Sequence, residues 1–170
     1  SKLRVGDDVL LFNLTSLPSL VQYDFRLKNI TFSFPVIDCA SYGLMKGFNP
    51  NIVLSLCKDS TNNGPIKCAL SAPFGFDTTG KDDNLSILCK GAGSNSPSLC
   101  ASMTTSLSPI SIYYRAILCR GSKSKTYTIP MQCVELLFMM DQGDAIKICA
   151  GSTTLTPAYC AKYWSSKSQS

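Results

Sequence analysis

Histidine is absent from the 170 residues, and glutamate occurs once, at Glu135. Without histidine the chain has no Ser-His-Asp or Cys-His nucleophile pair, no imidazole acid–base group and no His-ligated zinc site. The CxxC spacing of zinc knuckles is missing as well. Together these absences predict a protein that is not an enzyme and binds neither a metal nor another cofactor.

Charged residues make up only 16% of the chain, and long apolar runs are also missing. The scarcity of Glu argues against a helix-rich protein, because Glu is among the residues that helices commonly contain. No run approaches the roughly 18 apolar residues that span a membrane, and the N-terminus lacks the features of a signal peptide. We therefore expect a mature ectodomain without a membrane span.

Cysteine, in contrast, is abundant: there are nine, and eight of them fall into four copies of one unit. Each copy has an apolar residue, Cys, usually a base and Gly, a polar stretch, and then Pro-x-x-Cys. Regular spacing of this kind is typical of a structural disulfide framework in an oxidising compartment, which predicts a secreted or extracellular protein. A degenerate first copy over residues 21–40 contributes the odd cysteine, Cys39.

The spacing inside the units predicts disulfide-stapled hairpins. In three units ten residues separate the cysteines, an even number that lets both face each other across an antiparallel pair. Cys39 would stay unpaired, as a buried thiol or as the link of a disulfide-bonded dimer. The alternative that cysteines of successive units pair remains open, since eight cysteines allow 105 connectivities. The predicted bonds are Cys57–Cys68, Cys89–Cys100, Cys119–Cys133 and Cys149–Cys160.

These hairpins predict an all-β fold, an antiparallel β-sandwich or barrel, with a β-solenoid of hairpins as the alternative. The apolar run Val134–Met140 is interpreted as a buried strand rather than a short helix. We expect one secreted domain over residues 1–164 and a disordered tail over 165–170. The repeat units are predicted at about 50–76, 84–108, 113–140 and 145–164.

The chain contains three N-glycosylation sequons, in which an asparagine lies two residues before Thr or Ser. Their asparagines are Asn13, Asn29 and Asn84. Beside the cysteine pattern they predict a glycoprotein of the secretory pathway.

Candidate binding residues are basic or aromatic. The bases are mostly scattered, which disfavours a nucleic-acid partner, and the densest group lies inside one cysteine loop. Adjacent tyrosines and an aromatic cluster near the C-terminus suit stacking on sugars or anchoring of a protein, although inward-facing members would be core. The candidates are Arg120, Lys123, Lys125, Tyr113, Tyr114, Tyr159, Tyr163 and Trp164.

The sequence as a whole favours a non-catalytic module that recognises a protein or glycan on a cell surface, such as a host-directed effector or a viral envelope-type binding domain. A lectin is the alternative within this class. A carrier of lipid or another small hydrophobe is the alternative of another class. The side chains expected to line its cavity are Phe12, Phe25, Phe32, Phe34, Phe74, Phe76, Phe138, Met139 and Met140. Paired aspartates such as Asp141 and Asp144 leave a histidine-free hydrolase as the remaining candidate.

Overall fold

The computed structural model describes residues 2–5, 8–11, 34–76, 83–105 and 109–168, and this part of the chain is mostly helical. Two short strands, β1 (Lys2–Val5) and β2 (Asp8–Leu11), pair antiparallel with Lys2 opposite Leu11. The helices that follow are α1 Phe34–Met45, α2 Pro50–Cys57, α3 Gly64–Leu70, α4 Asn84–Cys89, α5 Ser96–Ser102, α6 Ile112–Cys119, α7 Ile129–Leu136, α8 Gln142–Cys149 and α9 Thr156–Ser168.

The predicted β architecture is therefore wrong. Within the described ranges the one sheet is the two-stranded β1–β2 pair, so the sandwich, the barrel and the β-solenoid are all excluded there. The apolar run Val134–Met140 is not a strand, because α7 extends to Leu136 and a turn follows it. Residues 165–168 belong to α9, residues 169 and 170 lie outside the described residues, and the predicted domain bounds stay a prediction. Most of the degenerate first unit, residues 21–33, lies outside the described residues.

Each cysteine unit is a helix–turn–helix, with the first cysteine ending one helix and the second lying inside the next. The buried residues of α2, for example, are Val53, Leu56 and Cys57, the i, i+3, i+4 spacing of a helical face. The recurrent proline sits at the start of the second helix, where its missing N–H costs nothing and its φ suits a helix. The recurrent proline, which a hairpin would place at the start of a strand, therefore lies at the start of a helix.

In the second and third units, the base and glycine after the first cysteine form a helix C-terminus. Lys90 and Arg120 cap α4 and α6, and the glycines that follow have positive φ, 72° at Gly91 and 74° at Gly121. A left-handed residue just beyond the last helical turn is a common helix stop, and glycine adopts it without steric cost. Asp59 takes this position after α2, with φ of 64°.

The disulfides join successive units, so the predicted pairing within units is wrong. Their common form is a cysteine of a second helix bonded to the cysteine that ends the first helix of the next unit. Cys39 is paired and cannot link two chains as predicted, while Cys160 is the free cysteine. The reason is the period: on helices the direction of each cysteine follows 3.6 residues per turn rather than strand alternation. The four bonds are Cys39–Cys57, Cys68–Cys89, Cys100–Cys119 and Cys133–Cys149.

Stacking of the units gives a helical repeat array. The first helices α2, α4, α6 and α8 contact one another in that order. Ser55 and Ser86 share a hydrogen bond of 2.7 Å between α2 and α4, and the buried Ser98 on α5 donates to the carbonyl oxygen of Cys68 on α3. Each unit thus buries its apolar face against its neighbours, as in solenoid proteins.

Arg115 on α6 forms hydrogen bonds with the segment that connects α5 to α6. Its Nη1 donates to the carbonyl oxygens of Ala101 (2.8 Å) and Met103 (2.7 Å), and its Nε donates to that of Ile110 (3.2 Å). These carbonyls belong to the end of α5 and the segment that follows it. A single charged side chain therefore donates hydrogen bonds to three backbone carbonyl oxygens that would otherwise need other donors.

We expect Arg115→Ala to lower the free energy of unfolding by about 2–3 kcal/mol, because hydrogen bonds to charged groups contribute about 1.5–3 kcal/mol and partly buried acceptors would lose their donor. Urea denaturation measures this loss. Lys125→Ala, at an exposed turn position away from a helix end, is the matched control and should change stability by less than about 0.5 kcal/mol. Equal losses in both variants would contradict the role given to Arg115.

Candidate interaction surface on the turn edge

The four turns that connect the two helices of each unit lie together on one edge of the array. We call this surface the turn edge and define it as residues 58–63, 90–95, 120–128 and 150–155. Neighbouring turns touch: the Gly151 N–H donates to the Leu118 carbonyl oxygen at 3.1 Å, just before the adjacent turn begins. Gly64 lies so close to Ala92 and Gly93 that a methyl group at Gly64 would overlap their backbone. The first turn thus touches the second, and the fourth touches the segment where the third begins.

The turn edge is strongly basic. Five of its side chains carry positive charge and one, Asp59, carries negative charge. All five bases are exposed. Most of the other exposed residues of these turns are Gly, Ser, Thr or Asn, and no exposed aromatic or large apolar side chain occurs among them. The five bases are Lys58, Lys90, Arg120, Lys123 and Lys125.

Part of this charge has a structural explanation. Lys58, Lys90 and Arg120 directly follow helix C-termini, where a cation interacts favourably with the negative end of the helix dipole by about 0.3–1 kcal/mol. Lys123 and Lys125 have no such explanation, because neither directly follows a helix C-terminus. Folding therefore accounts for three bases of the turn edge and not for the other two.

The predicted aromatic sites do not join this surface. Tyr113 and Tyr114 stand at the start of α6, at the far end of that helix from its turn, with ring centroids 5.7 Å apart. Tyr159, Tyr163 and Trp164 are exposed on α9, where Tyr163 and Trp164 meet edge to face. The structure places Arg120, Lys123 and Lys125 in one turn, and it adds Lys90, which the sequence interpretation did not single out. The repeated base after the first cysteine was the signal that could have found Lys90.

The side chains expected to line a hydrophobe cavity do not converge. Phe74, Phe138 and Met139 point to solvent, with Phe74 fully exposed, whereas Phe76 is buried in the core. Phe12, Phe25 and Phe32 lie outside the described residues. A cleft of about 360 Å³ between the starts of α2 and α4 is lined by Asn49, Asn51, Ile52 and Asp83, so it is polar.

The aspartates near helix starts serve as caps. Asp83 Oδ1 accepts from the Ser86 N–H at 3.0 Å, and Asp141 Oδ1 accepts from the N–H groups of Gly143 and Asp144. Carboxylates in these bonds satisfy helix N-termini, which is an ordinary structural role. Within the described ranges no cluster of three potential metal ligands occurs.

Of the predicted glycosylation sites, Asn84 is the first residue of α4 and is half-buried, with its Oδ1 shielded from solvent. Asn13 and Asn29 lie outside the described residues. Glycosylation at all three therefore stays a prediction.

Four disulfides indicate an oxidising, extracellular-type environment. None of the helices in the described ranges has the length and apolar character to cross a bilayer. No protein-family model, curated protein or solved structure matches the chain.

Proposed function

We propose that the protein is a secreted, non-catalytic recognition module whose turn edge binds an anionic glycan on a cell surface. The observation that carries this proposal is the charge of the turn edge, where five exposed bases face solvent beside a single acid. Lys123 and Lys125 weigh most, because neither directly follows a helix C-terminus, where a cation would have a structural role. Binding of an anion explains their position, whereas folding does not.

The side chains of the turn edge favour a glycan over a protein partner. Protein interfaces generally depend on buried aromatic or apolar anchors, and the turn edge exposes none. It offers instead ammonium, guanidinium, hydroxyl and amide groups, together with backbone at several glycines. Such groups suit the sulfate, carboxylate and hydroxyl groups of an acidic polysaccharide.

The repeat also gives the charges a regular arrangement. Lys58, Lys90 and Arg120 follow the ends of α2, α4 and α6, which contact one another in succession. Packed helices lie about 8–10 Å apart, which is close to the screening length of about 8 Å at physiological ionic strength. Neighbouring bases therefore act together on a chain of anionic groups laid along the edge.

The test is binding to immobilised heparin, a sulfated polysaccharide, with uncharged dextran as the blank. We expect wild-type protein to bind at about 0.15 M salt and to release as salt screens the contacts. The quadruple variant Lys90→Gln, Arg120→Gln, Lys123→Gln and Lys125→Gln should bind at least about tenfold more weakly, since four exposed contacts at even 0.4 kcal/mol each exceed the 1.4 kcal/mol of a tenfold change.

A second quadruple variant controls for net charge. Lys46, Lys67, Lys147 and Lys162 are exposed and lie outside the turn edge, so replacing them with Gln removes the same charge from other surfaces. This control should retain most of the wild-type affinity. Equal weakening in both variants would show that net charge alone attracts the polysaccharide. That result, or a wild-type protein that does not bind heparin, would overturn the proposal.

A further inference from the structure

The outward face of α9, at the end of the array, differs from the same face of the other second helices. Cys68, Cys100 and Cys133 are fully buried under the next unit, while Cys160 at the equivalent position is exposed. Ala158, two residues earlier, is fully buried like its counterparts Ile66, Ser98 and Met131. Helix α9 thus packs against α7 and α8 as expected for a second helix, and among the described residues no further helix covers its outward face.

This open face carries a continuous stripe of apolar and aromatic side chains. Cys160, Tyr163 and Trp164 follow the i, i+3, i+4 spacing that places residues on one face of a helix. Tyr163 is 56% exposed and Trp164 is 69% exposed. At the same two positions α7 has Leu136 and Leu137, which pack against the core.

The internal units show what covers this face. In each of them a cystine joins the second helix to the end of the first helix of the next unit. Contacts between α3 and α4, α5 and α6, and α7 and α8 accompany these bonds. The surface of α9 continues this series of interfaces, and repeat arrays require their terminal faces to be covered or polar.

We propose that the open face of α9 binds a further helix of the same first-helix type, one that ends in an apolar residue and Cys, and that Cys160 forms a disulfide with that cysteine. A second copy of this chain does not supply such a helix from its described residues, because Cys57, Cys89, Cys119 and Cys149 are already paired. In forming the bond, the two thiols lose two electrons and two protons to a low-molecular-weight disulfide, which becomes two thiols.

A peptide of residues 141–151 is the closest available probe, since it contains α8, the helix that covers α7 in the chain. Its cysteine is activated as the 2-thiopyridyl disulfide. The Cys160 thiolate attacks the sulfur of the peptide cysteine, the peptide–thiopyridyl S–S bond breaks, and 2-thiopyridone leaves with the electron pair and takes up a proton. Absorbance of the released thiopyridone gives the rate with the folded full chain.

We expect the peptide to react about tenfold faster than a scrambled peptide with its cysteine at the same position, which corresponds to about 1.4 kcal/mol of binding at the face. The double variant Tyr163→Ser, Trp164→Ser should lose this advantage while its reaction with a small aromatic disulfide is unchanged. The rate with the small disulfide and the circular dichroism of the variant show whether the variant is still folded. They therefore distinguish a loss of peptide binding at the open face from a loss of folding. Tyr113→Ser, an exposed tyrosine of α6, is the control and should behave as wild type.

Two results would overturn the inference. The first is equal rates with the two peptides, which would make Cys160 an ordinary exposed thiol. The second is preferential formation of a Cys160–Cys160 dimer in the presence of the activated peptide, which would make a second copy the occupant. Neither result bears on the turn edge, so this inference and the proposed function fail independently.

Discussion

The double variant Cys100→Ala, Cys119→Ala is expected to lose about 3 kcal/mol of unfolding free energy, within a range of about 2–5 kcal/mol. This disulfide closes a segment with a sequence separation of 19 in the middle of the array, and both of its cysteines are fully buried. Without it the unfolded chain gains conformational freedom and the interface between α5 and α6 loses its covalent link. Guanidinium denaturation followed by circular dichroism measures the change.

Cys160→Ala is the matched control for this experiment. Cys160 is exposed and makes no disulfide, so its replacement should shift the free energy of unfolding by less than about 0.5 kcal/mol. A variant of Cys100 and Cys119 that is as stable as this control would mean that the link between units contributes nothing to the fold.

Gly64→Ala is expected to destabilise the protein by about 1–3 kcal/mol, although alanine is ordinarily the better helix former by about 0.5–1 kcal/mol. Gly64 begins α3, and a methyl group there would overlap the carbonyl oxygen of Ala92 and the carbonyl carbon of Gly93 in the neighbouring turn. Because the obstacle is backbone, it cannot be relieved by a change of rotamer. The adjacent turns would have to separate, and thermal or urea unfolding reports the cost.

Gly93→Ala tests the same contact from the other side. A methyl group at Gly93 meets no atom within 4 Å, so this substitution should be nearly neutral. The pair therefore distinguishes steric contact between turns from the general loss of glycine. If Gly64→Ala is neutral or stabilising, the first two turns of the turn edge are not in contact.

The sequence predicted a repeated disulfide framework correctly but assigned the wrong secondary structure to each unit. The period was visible, since Val53, Leu56 and Cys57 follow helical spacing, and Leu85, Leu88 and Cys89 repeat it. Proline at the start of one helix and glycine beyond the end of the other were signals of the same kind. Strand-forming residues before each cysteine outweighed these signals in the sequence interpretation, but packing overrides intrinsic propensity.

Scarce glutamate was a misleading argument against helices. Glutamate is common in long helices that are exposed to solvent. The helices α2 to α8, however, are short, with six to eight residues each. Isolated helices of this length are marginal in water, so these depend on buried contacts and cystines rather than on composition. Low charge is consistent with an array in which one face of each helix is covered by the next unit.

The candidate surface was predictable only in part. Arg120, Lys123 and Lys125 are close in sequence, so their grouping could be read directly. Lys58 and Lys90 join them only because successive turns stack, which depends on the helical repeat. The connectivity of the cystines was likewise open, because spacing alone does not decide between pairing within units and pairing between them.

Peptide mapping of the non-reduced protein is the decisive measurement, because the turn edge and the open face of α9 both depend on pairing between units. We expect four linked peptide pairs, Cys39–Cys57, Cys68–Cys89, Cys100–Cys119 and Cys133–Cys149, with Cys160 recovered as a thiol or a mixed disulfide. Recovery of Cys57–Cys68, Cys89–Cys100, Cys119–Cys133 and Cys149–Cys160 instead, with Cys39 free, would contradict it.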